Sequence, residues 1–508
     1  MPDSYVIALC VVALCATAAF FYRAAVLIIY PYELDYGEGI VLWQAQHVTH
    51  LSTAYASIQH YPYIVFHYTP LYHLVSVAMS KFTGDLLIAG RLVSAISCLG
   101  ICLTLAWIVY STAPKSASRV AVIGGAVLAG AFPCGLIAMR WVPVMRVDML
   151  GLCFTFAGLA VFVLARTSAQ RYCAFVLFVA AMYTRQTLVS GVVACLLVAF
   201  VMNRREAIKF FAFTTLLGSV TMAALWFATR GEVIKHLFVY NINRFSIRLS
   251  FILLAKNLFH PLMIPFLALA AAAAFGSIRA TARAISRRNL APLRASLSTS
   301  PYHLALFTFT VHCVLAGLTS LTVGKSGSNV NYFLEFNLSV FVLASLFIAR
   351  LLWRRRPKRA FFKIALAYLL PIVLVACLTL RVSALVYHLR SMGTRQAEDS
   401  EALMRILSRS PEPVMSEDMT LLYKTGKQLP FEPAIVRELA ATHIWDETPL
   451  VNLISNRRFS VMIISKDYMI ERYSPAVLRA IRDNYKPTET HGIFTVYVPS
   501  ANATPRAQ

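Results

Sequence analysis

The stretch YPYELDYGEG at positions 30–39 decides how the rest of this sequence is interpreted, because it places three carboxylates directly after a long apolar segment. The acids are Glu33, Asp35 and Glu38, and two glycines flank the last of them. An ionisable group beside a bilayer is costly to desolvate, so its presence there points to function. Glycine lets the backbone approach a ligand closely. The alternative is a solvated acidic loop that follows a membrane anchor.

The composition is that of a polytopic membrane protein. Apolar residues make up 58% of the 508 residues, charged residues only 14%, and the mean hydropathy is +0.64. Soluble chains carry roughly a quarter charged residues. The net charge of +24 does not indicate nucleic-acid binding, because the basic residues lie in short runs between apolar segments, as cytoplasmic loops do. The ten cysteines lie in or beside apolar segments, which indicates packing residues and no disulfide framework.

Apolar segments near the length that a bilayer requires, about 20 residues, recur along the chain and predict about eleven transmembrane helices. The first is expected to be an uncleaved helix. A cytoplasmic N-terminus would place the basic runs inside and the acidic loop outside, which satisfies the positive-inside rule. The predicted spans are 5–29, 86–110, 120–138, 149–165, 172–183, 189–202, 210–228, 251–275, 302–323, 332–352 and 360–380.

Two domains are predicted from the change in composition near position 381. Positions 1–380 form the transmembrane domain, whose outer loop at 31–85 holds an interfacial helix at 70–82. Positions 381–508 form a small soluble α/β domain on the outer side. Its predicted strands are 459–465 and 492–499, and its predicted helices are 398–407 and 475–483. Because it shows no catalytic motif, we expect it to cap the site or to recognise an acceptor.

The predicted topology brings the unusual charges of the membrane domain to one face, where they could converge. A carboxylate can deprotonate an acceptor hydroxyl, and arginine's planar fork suits the oxygens of a departing phosphate. Without a nucleotide-binding motif, this pattern favours a lipid-phosphate leaving group. Beside the three loop acids, the candidates are Asp148, Arg140, Arg146, Arg185 and Lys325.

Each of these signals also has an ordinary structural interpretation. Asp148 could cap a helix, Arg185 could snorkel from a turn between two short helices, and Lys325 and Asn331 could serve a Gly/Ser-rich turn. His67 could be an interfacial histidine. No histidine pairing suggests zinc, so no metal ligands are predicted, and assistance by a divalent cation such as Mg²⁺ or Mn²⁺ is left open.

The order of five short motifs resembles a family. After the acidic loop come HYTPLYHLVSVAMSKFTG (67–84), GRLVSAI (90–96), RVDML (146–150), YTRQT (183–187) and NYFLE (331–335). This layout resembles the GT-C glycosyltransferases, especially the bacterial branch related to protein O-mannosyltransferases and lipid A aminoarabinose transferases. The resemblance implies transfer of a sugar from a polyprenyl-phosphate donor to an acceptor outside the membrane, with the essential acid in the first outer loop.

The resemblance also assigns roles, with two departures. The family's Asp-Glu pair is missing, since Glu38 lies between glycines, and Asp35 is the first choice for the base, followed by Glu38 and Glu33. The lysine of the family's Lys-Pro-Pro-like segment is absent at 67–70, which begins with His67. Asp148 matches a donor-site Asp, and Arg185 a basic residue at the same turn. The remaining candidate substrate or phosphate contacts are Arg140, Arg146, Lys325, Asn331 and Glu335.

The predicted function is that of an inverting, integral-membrane glycosyltransferase. Its expected partners are membrane lipids, a polyprenyl-phosphate sugar and an envelope glycan, lipid or protein as acceptor. The expected location is a bacterial inner membrane, with the C-terminal domain in the periplasm. One alternative is a transporter or flippase of a lipid-linked sugar, although only one broken helix pair is evident. The other is a structural or assembly protein whose soluble tail binds a partner.

Overall fold

The computed structural model describes residues 3–135, 141–353, 369, 371–380, 382–383 and 395–500. Arg140 and the beginning of the predicted span 360–380 lie outside the described residues. Within the described part, helices build the N-terminal region, and a small sheet with flanking helices builds the C-terminal region. This division follows the change in composition that predicted two domains, whose exact limits stay a prediction.

Six described helical segments are long and apolar enough to cross a membrane. Their outer surfaces expose large apolar side chains such as Leu103 and Phe227, which lipid would cover. The chain is therefore an integral membrane protein; its orientation and its membrane stay predictions. The six segments contain α1 Asp3–Ile28, α5 Leu86–Ser111, α10 Arg204–Ala228, α13 Ile264–Ser286, α15 Pro301–Ser320 and α16 Leu334–Trp353.

Shorter helices fill the bundle between these spans. They are α6 Arg119–Ala131, α7 Asp148–Leu164, α8 Ser168–Thr184, α9 Ser190–Met202, α11 Glu232–Ile234, α12 Ile247–Leu258, α14 Ala291–Thr299 and α17 Pro371–Leu380. The outer loop contributes α2 Gly37–His47, α3 Leu51–Ala54 and α4 Leu71–Thr83, the last of which forms the helix predicted at 70–82. Because several of these helices are shorter than a bilayer requires, the count of eleven spans stays a prediction.

One predicted span, 251–275, is divided into two helices in the structure. Helix α12 ends at Leu258, and α13 begins at Ile264. Pro261 lies in the break and Pro265 in the first turn of α13. Proline lacks an N–H group and clashes with the preceding turn, so it interrupts a helix but is tolerated at its start. The hydrophobic pattern was continuous here, and the backbone chemistry of proline decided the boundary.

The C-terminal region is organised around a four-stranded sheet in the order β1-β2-β4-β3. Strand β1 pairs parallel with β2, whereas β4 pairs antiparallel with β2 and with β3. The strands are β1 Met415–Ser416, β2 Met462–Ser465, β3 Tyr485–His491 and β4 Phe494–Pro499. The helices are α18 Arg395–Arg409, α19 Met419–Lys424, α20 Pro433–Ala441, α21 Thr448–Ser455, α22 Met469–Arg472 and α23 Pro475–Asn484.

The C-terminal domain packs directly on the outer loop. A Cβ atom at Gly39 would lie 2.4 Å from the Cβ atom of Met419, so α2 and α19 touch along their backbones. The indole of Trp445 donates a hydrogen bond to the carbonyl of Ile58 at 3.0 Å. The C-terminal domain therefore lies beside the acidic stretch and can contribute residues to any site there.

Candidate functional site

A cavity of about 2540 Å³ lies between the outer loops and the C-terminal domain. Its polar part is lined by three of the predicted cations and by two acids of the opening stretch, Glu33 and Asp35. The cavity continues between α9 and α10, where the side chains of Val192, Leu196 and Phe211 line it. A charged compartment therefore opens directly into an apolar groove of the membrane domain.

Glu38 is buried at the base of the acidic loop and is not among the described residues that line the cavity. Arg91 of α5 binds both of its carboxylate oxygens, at 2.8 and 2.7 Å. The backbone N–H groups of Leu34 and Met145 donate to the same carboxylate at 2.8 Å each. Removing one partner of a buried ion pair is strongly destabilising, so these contacts give Glu38 a structural use.

Arg91 also fixes the shape of the acidic loop. Its guanidinium donates to the backbone carbonyl of Tyr30 at 2.5 Å and to that of Tyr32 at 2.7 Å. Sequence reasoning missed this residue, although Arg91 lies in the motif GRLVSAI. The signal was a lone arginine inside an apolar helix, since such a charge requires a buried partner.

Asp35 faces the cavity from the same loop and pairs with Arg146, whose Nη1 atom lies 3.3 Å from Oδ1 of Asp35. Both side chains remain partly exposed, at 24% for Asp35 and 15% for Arg146. A Cβ atom at Gly37 would lie 1.4 Å from that Nη1 atom, so only glycine leaves room for the guanidinium. Arg146 also lies over the ring of Trp141, 5.2 Å from its centroid. The predicted base candidate and a predicted phosphate contact are thus neighbours.

Glu33 lines the cavity beside Asp418 of the C-terminal domain, and the two carboxyl groups share a hydrogen bond. Burial raises the pKa of Glu33 well above its ordinary value, and the nearby Asp418 raises it further. Burial also raises the pKa of Asp418. Neighbouring carboxyl groups repel each other when both are ionised, which favours protonation of one of them. A protonated Glu33 is a poor base.

Arg185 reaches the cavity from the turn between α8 and α9 and pairs with the buried Asp148. The side-chain amide of Asn331 donates to Oδ1 of Asp148 at 2.9 Å, which joins three predicted residues in one cluster. Arg185 also lies over the ring of Tyr332, 4.8 Å from its centroid. Asp148 is not among the described residues that line the cavity, so it binds Arg185 on the side that faces the helical bundle.

His67 also lines the cavity. Burial and, to a smaller extent, the nearby Arg146 together lower the pKa of His67 to about 3, which favours a neutral ring. Its Nδ1 atom lies 3.3 Å from the side-chain amide of Gln44. The backbone carbonyl of His67 accepts hydrogen bonds from Gln186 at 2.9 Å and from Asn241 at 3.1 Å. His67 can therefore offer a hydrogen bond to a ligand but no positive charge.

Two other predicted residues differ in their relation to the cavity. Lys325 lines it, in a loop between α15 and α16. Glu335 is not among the described residues that line the cavity. Its carboxylate accepts hydrogen bonds from Ser190 and from His312, the latter at 3.1 Å, inside the helical bundle. Glu335 was predicted to contact substrate, and its contacts connect helices instead.

The C-terminal domain lines the cavity with residues that sequence reasoning missed. Tyr36 of the acidic loop donates a hydrogen bond to Glu432, and the guanidinium of Arg472 stacks on the Tyr36 ring, 3.7 Å from its centroid. Arg472 also pairs with the buried Glu417. Glu432 stands directly before Pro433, which is the pattern of a helix N-terminus, but sequence gave no indication of its partner in the acidic loop.

The described residues do not contain a group of three or more His, Cys, Asp or Glu side chains arranged to hold a metal ion. Of the acids that line the cavity, Asp35 is paired with Arg146, and the pKa of Glu33 is raised by burial and by the nearby Asp418. We therefore derive no step through a metal.

Comparison with solved structures identifies the architecture; no family model and no curated protein matches the sequence. The lipid A aminoarabinose transferase ArnT from Cupriavidus metallidurans, in its apo state, superposes with a TM-score of 0.60 at 13% identity, over 96% of this chain and 98% of that chain. The same enzyme bound to undecaprenyl phosphate gives a TM-score of 0.58 at 13% identity, over 100% of both chains.

The oligosaccharyltransferase of Archaeoglobus fulgidus is also similar. Its structure tethered with an acceptor peptide gives a TM-score of 0.54 at 11% identity, over 98% of this chain and 74% of that chain. Both relatives are members of the GT-C superfamily, which is the one that the sequence motifs resemble. At these identities the likeness establishes architecture. The chain therefore has the fold of the GT-C glycosyltransferases.

Proposed function

We propose that this protein is a membrane glycosyltransferase that moves a sugar from a polyprenyl-phosphate donor to an acceptor on the outer face of the membrane. The observation that carries the proposal is the cavity, which joins the charged compartment at Asp35 and Arg146 to the apolar groove between α9 and α10. A lipid phosphate has this same division into a charged head and an apolar tail. The ArnT structure that contains undecaprenyl phosphate has the same fold, which supports this class of donor.

In the proposed reaction, Asp35 acts as the base. The acceptor hydroxyl attacks the anomeric carbon of the donor sugar while its proton passes to Asp35. The bond from the anomeric carbon to the phosphate oxygen breaks, and its electron pair leaves with the phosphate. Attack from the face opposite the phosphate inverts the anomeric configuration.

The phosphate is stabilised by the guanidinium groups of Arg146 and Arg185 and by the ammonium group of Lys325, all of which line the cavity. Arginine offers two parallel donors to phosphate oxygens, and charge that grows during bond cleavage is best met by groups already in place. His67 contributes only a neutral hydrogen bond because its pKa is lowered to about 3 by burial and by Arg146. Asn331 acts through the Asp148 that holds Arg185.

The three loop acids have different proposed roles. Asp35 is the proposed base because it faces the cavity and lies beside Arg146, which is proposed to bind the phosphate. Burial and the nearby Asp418 raise the pKa of Glu33, so we propose that it is protonated and contacts the acceptor. Glu38 pairs with Arg91 and is not among the described residues that line the cavity, so we propose that it holds the loop and is not the base. Glu335 is likewise proposed to stabilise the bundle.

The acceptor is proposed to be a glycan, lipid or protein of a bacterial envelope, reached from the periplasmic side of the inner membrane, with the N-terminus in the cytoplasm. The C-terminal domain adjoins the cavity, which supports a role in holding the acceptor. The oligosaccharyltransferase of Archaeoglobus fulgidus has been captured with an acceptor peptide, which supports a protein as one of these alternatives.

The test is transfer activity of the Asp35→Asn variant in detergent with a panel of undecaprenyl-phosphate sugars and envelope acceptors. Loss of a positioned base typically slows a reaction 10²- to 10⁴-fold, so we expect activity to fall at least about 100-fold. Asp467→Asn is the matched control, because Asp467 is exposed and does not line the cavity. Full activity of Asp35→Asn would remove its assigned role. Wild-type protein that binds donors but never cleaves them would favour a transporter.

A further inference from the structure

Lys325 differs from the two arginines that line the charged compartment. Arg146 and Arg185 each pair with a carboxylate, whereas Lys325 has no ion-pair partner among the residues that the structure describes. Lysine is a compact charge on a flexible four-carbon stem, so its position depends on the backbone that carries it. That backbone is the sequence GKSGSN at 324–329, whose composition is typical of a flexible loop.

The backbone of Lys325 is held by a neighbouring segment. Lys325 lies opposite Phe245 in an isolated antiparallel bridge. The N–H group of position 326 donates to the carbonyl of position 244 at 2.8 Å, and that of position 246 donates to the carbonyl of position 324 at 2.9 Å. We name these paired segments, 243–246 and 324–326, the Lys325 clamp.

The clamp is fastened to the C-terminal domain through one side chain, Glu438 of α20. Arg244 of one segment approaches Oε1 of Glu438 to 2.6 Å, and the hydroxyl of Ser326 in the other donates to the same oxygen at 2.8 Å. Glu438 is buried, whereas the Arg244 side chain is half exposed, so solvent partly screens their ion pair. One carboxylate therefore holds both segments of the clamp together.

The other end of α20 is fastened to the acidic loop. Glu432 caps the helix by accepting hydrogen bonds from the N–H groups of positions 434 and 435, and it also accepts one from the hydroxyl of Tyr36. Helix α20 thus connects the wall that carries Asp35 with the wall that carries Lys325. The six positions from Glu432 to Glu438 correspond to about 9 Å along the helix, at about 1.5 Å per residue.

We propose that α20 is a strut across the site and that Glu438 is a positioning residue, which holds the Lys325 ammonium where the phosphate of the lipid donor binds. This inference rests on the proposed function. Glu438 acts through Lys325 and does not touch the phosphate. Its contribution is to order a Gly/Ser-rich loop before the ligand arrives, which lowers the entropic cost of binding.

The test compares binding of undecaprenyl phosphate and of undecaprenol, which lacks the phosphate, to full-length protein in nanodiscs. We expect Lys325→Ala to weaken binding of undecaprenyl phosphate about tenfold, because a charged partner of the phosphate is lost. Glu438→Gln should weaken it about fivefold, because the ammonium remains but is less well positioned. Binding of undecaprenol should not change. Glu398→Gln is the matched control, because Glu398 is exposed on α18 of the same domain.

A double variant separates positioning from a general structural role. If Glu438 acts through Lys325, Glu438→Gln should cause no further loss in the Lys325→Ala background. An equal loss in both backgrounds, or weaker undecaprenol binding, would overturn the inference. Should Glu438→Gln fold poorly, Ser326→Ala removes one clamp contact more gently and should weaken phosphate binding alone.

The remaining outcomes distinguish the inference from the function on which it rests. A loss with Lys325→Ala but none with Glu438→Gln would refute the strut while leaving the donor site intact. Wild-type protein that binds both lipids equally would contradict the proposed donor and the strut together. A tenfold preference for the phosphate, reduced by both variants and not by Glu398→Gln, is the result that we expect.

Discussion

Replacing Gly37 by alanine should abolish the proposed transfer activity without unfolding the protein. The new methyl carbon would lie 1.4 Å from Nη1 and 2.6 Å from Cζ of Arg146. Carbon and nitrogen atoms need about 3.5 Å, so the guanidinium must move by about 2 Å. Its 3.3 Å contact with Asp35 would then be lost. The backbone of Gly37 is helical, so alanine introduces no strain of its own.

The expected consequence is a fall in kcat/KM of about 100-fold, because a displacement of about 1 Å near a reacting centre can cost that much. The stability cost should be small, about 1 kcal/mol, since the atom in the way is the end of a flexible side chain. Transfer from undecaprenyl-phosphate sugars measures the first quantity, and thermal unfolding in detergent measures the second. Gly276→Ala is the control, because a Cβ atom there meets nothing within 4 Å.

A double-mutant cycle shows whether Gly37→Ala acts through Arg146. In an Arg146→Ala background there is no guanidinium to displace. Adding Gly37→Ala should therefore lower kcat/KM less than threefold, because independent sites add within about 0.5 kcal/mol. Wild-type activity of Gly37→Ala would refute the assigned geometry of the acidic loop. A further 100-fold loss of kcat/KM in the double variant would show that the methyl group displaces Asp35 directly. Oδ1 of Asp35 lies 3.3 Å from the position of a Cβ atom at residue 37.

Three further changes test the loop, its contact with the C-terminal domain, and the groove. Glu38→Gln should destabilise the protein by roughly 3–5 kcal/mol, seen as a lower Tm, because it leaves a buried arginine without its charge partner. The raised pKa values of Glu33 and Asp418 mean that the folded state binds more protons than the unfolded state above about pH 4, so stability should fall as pH rises through that range. Glu33→Gln should flatten this dependence in pH-resolved unfolding experiments. Leu196→Trp should block the groove and weaken binding of undecaprenyl phosphate at least about tenfold, about 1.4 kcal/mol, whereas Leu197→Trp, on the exposed side of α9, should not.

The membrane architecture was predictable because its signals are local. Runs of apolar residues encode helices, and loop charge encodes sidedness, so the sequence led to the helical bundle and to the convergence of Asp35, Arg146 and Arg185 on one cavity. The division of span 251–275 was also encoded locally, by Pro261. The continuous run of apolar residues predicted a single helix there, and the proline signal was given too little weight. The roles assigned to the site residues stay predictions until activity is measured.

The contacts that could not be predicted join distant parts of the chain. Glu38 and Arg91 are 53 positions apart, and Tyr36 and Glu432 are 396 positions apart. No periodicity or spacing specifies such pairs, because they depend on how whole elements pack. The C-terminal domain was expected to cap the site, but its direct contacts with the acidic loop follow only from the folded arrangement.

The two carboxylates of the sequence DYGE are separated by three positions, yet the fold gives them opposite environments. Glu38 turns into the bundle, where Arg91 and two backbone N–H groups satisfy it completely. Asp35 turns into the cavity and keeps one cation beside it. A buried ion pair contributes little net stability but strongly disfavours rearrangement, because either charge alone would be left in an apolar setting. Glu38 can therefore hold the loop so rigidly that Asp35, carried on the same turn and proposed as the base, would meet the acceptor without first having to be ordered.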